Sequence, residues 1–102
     1  MGPRAVAAES FLEPKQKKKL AWWTHRLKED PFAGDQIPKS RIPAGLATRS
    51  GFTTRLTNAW RFELPLAFRG IYTVQGHPAT GVVVMILEIL SHKEYDRLFR
   101  YR

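Results

Sequence analysis

Gly81-Val82-Val83-Val84-Met85-Ile86-Leu87-Glu88-Ile89-Leu90 is the stretch that decides the fold. Valine and isoleucine pack well on a pleated surface, and here apolar residues fill both alternating sets of positions. A strand that is apolar on both faces is one covered on both sides. Glu88 interrupts the run, and an arginine of the adjacent strand is its natural partner.

Upstream, the period of two continues. Strands are expected over Phe68 to Gln75 and Ala59 to Leu64, with Pro65 breaking one connection. The cluster Gly76-His77-Pro78-Ala79-Thr80-Gly81 makes the other turn. Connections this short join antiparallel neighbours, so the three strands form a meander. Downstream, Ser91 and Glu94 stand in the S-x-x-E spacing of a capping box, which opens a short helix reaching about Phe99. Tyr95, Leu98 and Phe99 give that helix a face to dock on the sheet.

Towards the N-terminus, Lys15 to Asp30 reads as a helix. Leu20, Trp23, Thr24 and Leu27 fall on one face, while Lys17, Lys18, Arg26 and Lys28 occupy much of the other. Pro14 starts it and Asp30-Pro31 stops it. The adjacent Trp22 and Trp23 point about 100° apart on a helix, so one belongs to the core and the other covers a neighbour or a partner. Lys15, Lys17, Lys18 and Lys19 oppose the helix dipole, which leaves two readings open: a solvated face, or a surface lying along a nucleic-acid backbone. Pro31 to Asn58 carries three prolines and three glycines. A connection that long in a small domain is expected to hold a short helix or strand, or to be a functional loop. Residues 1–13 are weakly patterned and fit an arm, ordered by a partner or not, a short helix or an edge strand. The fold expected is α+β: N-terminal helix or helices packed on a three-stranded antiparallel meander, closed by a short C-terminal helix, as one domain over 1–102.

Seventeen Lys and Arg against nine Asp and Glu leave a net charge of +8. A surface this small and this positive favours a polyanion as partner. The segment from Gln36 to Phe62 is one-signed, with Lys39, Arg41, Arg49, Arg55 and Arg61 and no acid. With Lys17 and Lys18, the first four of these are the candidate RNA-contacting cations; the plain alternative is a charged loop kept for solubility. The absence of cysteine excludes disulfides and thiolate chemistry, and His25, His77 and His92 lack ligand spacing, so neither a metal nor another cofactor is expected. The longest apolar run is too short to cross a bilayer, and a signal peptide is not evident, so a cytoplasmic protein without membrane contact is expected.

Two stretches carry a family likeness. Trp60-Arg61-Phe62-Glu63-Leu64 followed by Phe68-Arg69-Gly70-Ile71-Tyr72-Thr73-Val74 resembles the paired strands of the RelE/ParE superfamily of small toxins, with an arginine ahead of an apolar-apolar-Tyr step. Leu90-Ser91-His92 with Leu98-Phe99 is similar to the ending of its nuclease members. The resemblance implies a RelE-like fold and a metal-free, ribosome-dependent messenger-RNA endonuclease countered by a small antitoxin protein. Arg69 would face the scissile phosphate and His92 would exchange protons, with Arg61, Lys93 and Tyr95 supplying further charge and a proton. Such cleavage needs a base for the 2′-hydroxyl, a cation for the phosphorane and an acid for the leaving oxygen. Each residue also has a plain role: His92 a surface residue beside the cap, Arg69 a partner of Glu63 or Glu88, Tyr95 helix-to-sheet packing, Tyr72 a core aromatic. Two other functions stay open on the same fold: RNA or ribosome binding without catalysis, and the gyrase inhibition of the superfamily's other branch.

Overall fold

In a computed structural model, which describes residues 1–79 and 81–99, the apolar stretch is a strand, β4 (Gly81–Ser91), at one edge of an antiparallel sheet. The sheet has four strands in sequence order: β1 (Asp35–Gln36), β2 (Trp60–Leu64), β3 (Phe68–His77) and β4. The expected meander of three is therefore corrected to four. β1 is two residues long and has no periodicity to detect; it pairs Asp35 with Arg61 and Gln36 with Trp60, and Ile37 N–H donates to the Ala59 carbonyl at 2.9 Å.

Against the expectation of a strand covered on both sides throughout, burial on both faces of β4 is confined to Ile86–Leu90, with Val82 and Val83 exposed, and it has a specific form. Ile71 pairs with Glu88 and Tyr72 with Ile86, which makes Leu87 an extra, bulged residue. Ile86 and Ile89 consequently enter one core while Leu87 and Leu90 enter another. The first core joins Trp60, Phe62, Leu64 and Tyr72 to Leu20 and Leu27 of α2 (Pro14–Glu29). The second joins Ile71, Leu87 and Leu90 to Leu46 and Ala47 of α3 (Ala44–Arg49) and to Tyr95 of α4 (His92–Phe99). Each large apolar side chain so buried contributes about 1.5–3 kcal/mol. Gly70 belongs to this packing, because a Cβ there would run into the Phe62 ring across the sheet.

Residues 1–13 include a helix, α1 (Pro3–Glu9), held against the edge strand β4, with the Gly2 N–H donating to the Ile86 carbonyl at 2.8 Å and Ala5 fully buried. That contact blunts an otherwise open sheet edge. Glu88, 2% exposed, takes its partners from here and from α3 instead of from the neighbouring strand: Arg4 Nε lies 2.9 Å and Arg49 Nε 3.1 Å from its Oε2.

The long irregular segment does contain short elements, namely β1, a 3-10 turn at Lys39–Arg41, and α3. It rejoins the sheet through Asn58, whose side-chain amide accepts from Val74 N–H at 2.8 Å and donates to Val74 C=O at 2.9 Å, extending the β2 pairing by a side chain. The β2–β3 turn places Leu66 and Ala67 in the left-handed region at φ 64° and 59°, which costs each about 1–2 kcal/mol. Two contacts hold it there: Gln16 Nε2 donates to Pro65 C=O at 3.0 Å, and His92 N–H to Ala67 C=O at 2.7 Å.

Candidate functional site

Alternation along β2 sends Trp60, Phe62 and Leu64 into the first core and leaves Arg61 and Glu63 on the α4 side of the sheet. In the β2–β3 register Glu63 sits directly opposite Arg69. The third element is α4, whose start is fixed by the capping box: Ser91 N–H donates to Glu94 Oε1 at 2.9 Å and Glu94 N–H to Ser91 Oγ at 3.2 Å. His92 is its first residue, and Tyr95 follows one turn on, facing the sheet.

Five side chains meet here. Arg61 Nη1 donates to Tyr95 Oη at 2.9 Å, and the Arg69 guanidinium lies over the Tyr95 ring at 4.6 Å from its centroid. Arg69 Nε is 3.1 Å from Glu63 Oε2, and His92 Nε2 is 3.6 Å from Glu63 Oε1. Phe99 stacks on Tyr95 at 4.2 Å between ring centroids and 13° between planes. The hydrogen bond to Tyr95 raises the Arg61 pKa above its ordinary value; burial opposes that, while the charges of Tyr95, Asp35 and Glu63 reinforce it. Arg61 is therefore cationic at any working pH.

An open cleft of about 480 Å³ adjoins the cluster, lined by Arg61, Tyr95, Phe99, Arg41, Gln36, Ile37 and Pro38. Two arginines and two aromatic rings make it suited to an anionic ligand with a flat apolar part. Among the described residues no group of three or more His, Asp or Glu side chains could hold a metal ion, and no helix is long and apolar enough to cross a membrane.

Of the residues singled out from sequence, Arg61, Arg69, His92 and Tyr95 come together. Lys93 is exposed on the following helical position, with no contact to the cluster described. The RNA-contacting set divides. Arg41 lines the cleft, and Lys39 is exposed on the same 3-10 turn. Arg55 is exposed in the loop before β2, whereas Arg49 is turned inward to Glu88. Lys17 and Lys18 are both exposed but point about 100° apart on α2. Tyr72 is fully buried and its hydroxyl accepts from the Gly34 N–H at 3.0 Å, a core role.

Glu63 is the member that sequence reading did not assign to the site. It stood only as a possible partner for Arg69, and its second contact, to His92, came unforeseen. Its signal was present, since it lies two positions after Arg61 in an alternating strand and opposite Arg69 in a tight meander. No family model, curated protein or solved structure matches the chain, so what the cluster does has to be argued from its own chemistry.

Proposed function

We propose that the chain is a RelE-like toxin, a metal-free endoribonuclease that cuts messenger RNA at the ribosome, with Arg61, Arg69, His92 and Tyr95 as the groups that handle the scissile phosphate. The observation that carries this reading is the convergence of these four side chains, from β2, β3 and α4, beside a basic cleft, with Arg69 and His92 against the Glu63 carboxylate and Arg61 on the Tyr95 hydroxyl. Their chemistry matches the reaction. The substrate's 2′-hydroxyl gives its proton to His92 as its oxygen bonds to phosphorus. The bond from phosphorus to the 5′-oxygen breaks, and that oxygen takes a proton from Tyr95. The products are a 2′,3′-cyclic phosphate and a 5′-hydroxyl. Arg69 and Arg61 balance the charge that builds on the phosphorane oxygens, with Arg's planar fork matched to two of them at once. Glu63 holds Arg69 and His92 in register until the phosphate arrives.

A small antitoxin protein covering the basic cleft with an acidic or apolar segment belongs to this reading. The test is cutting of messenger RNA in the presence of ribosomes. Arg69→Ala and His92→Ala are each expected to slow it by roughly 10²- to 10⁴-fold with the fold intact; undiminished cutting by both variants contradicts the assignment.

One observation favours a second reading, binding of RNA or the ribosome without cleavage: the Glu63 carboxylate already lies against both Arg69 and His92. In that case RNA is bound with a steep salt dependence and is never cut.

A further inference from the structure

Helix α2 presents a stripe that neither core uses. Lys15, Lys18 and Trp22 recur at i, i+3 and i+7, with Lys19 beside them, so they share one face. Trp22 is 50% exposed, in contrast to Trp23, which stacks on Phe62 at 5.2 Å. Lys19 Nζ sits 3.9 Å from the centroid of the Trp22 ring. The first turn of α2 holds Lys15 and Lys17 and no acid, and Lys18 and Lys19 follow it directly, an arrangement the helix dipole disfavours. Local helix stability therefore does not account for them.

The stripe is connected to the candidate site around the edge of β2. β1 pairs only with Trp60 and Arg61. Beyond that point Trp23 takes the place of a strand, its indole N–H donating to the Glu63 carbonyl at 3.0 Å. Trp22 lies edge-on to Trp23 at 5.0 Å between centroids, while the Glu63 carboxylate reaches Arg69 and His92 on the other face. One residue of β2 thus touches Trp23 through its backbone and the arginine–histidine cluster through its side chain.

We propose that Trp22 and Lys19 form a flanking subsite for single-stranded RNA, in which a base stacks on the exposed indole and Lys15, Lys18 and Lys19 follow the phosphates as the strand rounds the β2 edge from the cleft. Single-strand binding surfaces combine these two elements, a basic track and an aromatic platform. The proposal rests on the nucleic-acid reading of the cleft but not on cleavage.

A dye-labelled 2′-O-methyl RNA strand of about a dozen nucleotides, which lacks the attacking hydroxyl, separates binding from cutting. Trp22→Ala is expected to weaken its binding roughly five- to hundredfold, and Trp22→Phe to retain most of it. A 2′-O-methyl dinucleotide, too short to leave the cleft, is expected to bind all three proteins alike. The proposal is overturned if the unaltered protein fails to bind the strand, if Trp22→Ala binds it undiminished, or if the dinucleotide weakens in parallel with the strand. It is equally overturned if Trp22→Ala spares the strand and abolishes binding to anionic lipid vesicles, which would make the stripe a membrane contact. Loss of strand binding in Trp22→Ala together with no cutting of unmodified RNA by the unaltered protein leaves the subsite standing and removes the nuclease reading.

Discussion

Tyr95 shows how one side chain carries both a packing and a chemical argument. Its ring is buried in the second core and stacked on Phe99, while its hydroxyl accepts from Arg61 at the cleft. Tyr95→Phe keeps the stack and removes the oxygen, so a cost of about 1 kcal/mol in stability is expected. A far larger effect, about 10²-fold, is expected on RNA cutting if the hydroxyl donates the proton; denaturant titration and a cleavage time course separate the two. Tyr72 supplies a contrasting case on the other face. Burial pushes its hydroxyl pKa above the ordinary value, the Gly34 N–H partly offsets this, and Asp30 and Asp35 raise it further. Above about pH 10 the unfolded chain releases the Tyr72 proton while the folded chain keeps it. The stabilisation this residue gives is therefore complete below that pH and is lost as pH rises towards the folded value. Tyr72→Phe is expected to lose about 1–3 kcal/mol at neutral pH, from the unpaired Gly34 N–H, yet to show a shallower decline in alkali than the parent when unfolding is followed against pH.

Among the elements, the β2–β3 turn and α4 form one mechanical unit. Ala67 is strained at φ 59°, and its carbonyl accepts the first N–H of α4, that of His92. The turn thereby sets where His92 stands over Glu63. Ala67→Gly relieves the strain and is expected to raise stability by about 1 kcal/mol, measured as an increase in Tm. Most of this layout was legible from the residues. The apolar saturation of Val82 to Leu90, the alternation through Trp60 and Phe68, and the Ser91–Glu94 spacing are strong local signals, and the elements they announced formed within a residue or two. What escaped notice was set by contacts distant in sequence. β1 exists only because Gln36 and Asp35 meet β2, Asn58 joins the sheet through a side chain, and α1 is held by Gly2 and Arg4 against residues more than eighty positions away. No window of sequence carries those contacts. The partners of Glu88 were missed for the same reason.

At the scale of the whole molecule, charge and fold act together. The acid-free segment from Gln36 to Phe62 supplies the 3-10 turn, α3 and most of β2, so Arg41 and Arg61 arrive at one cleft while Arg49 is spent on the buried Glu88. The candidate site was partly visible in advance because Arg61, Arg69, His92 and Tyr95 lie on elements whose order and pairing are simple. Glu63 became part of it only once His92 was seen at its side. With a net charge of +8, single-stranded RNA should bind with an affinity that falls with salt at a logarithmic slope of about −0.7 per phosphate contacted. Reversing the sign of Arg41 and Arg61 (Arg→Glu) should flatten that slope by about 1 or more. The most direct test of the central claim is the chemistry of the cut ends when the purified chain is incubated with messenger RNA and ribosomes. Cyclic 2′,3′-phosphates facing 5′-hydroxyls, formed far more slowly by Arg69→Ala, are the predicted result; 5′-phosphate ends, or undiminished cutting by Arg69→Ala, would contradict it.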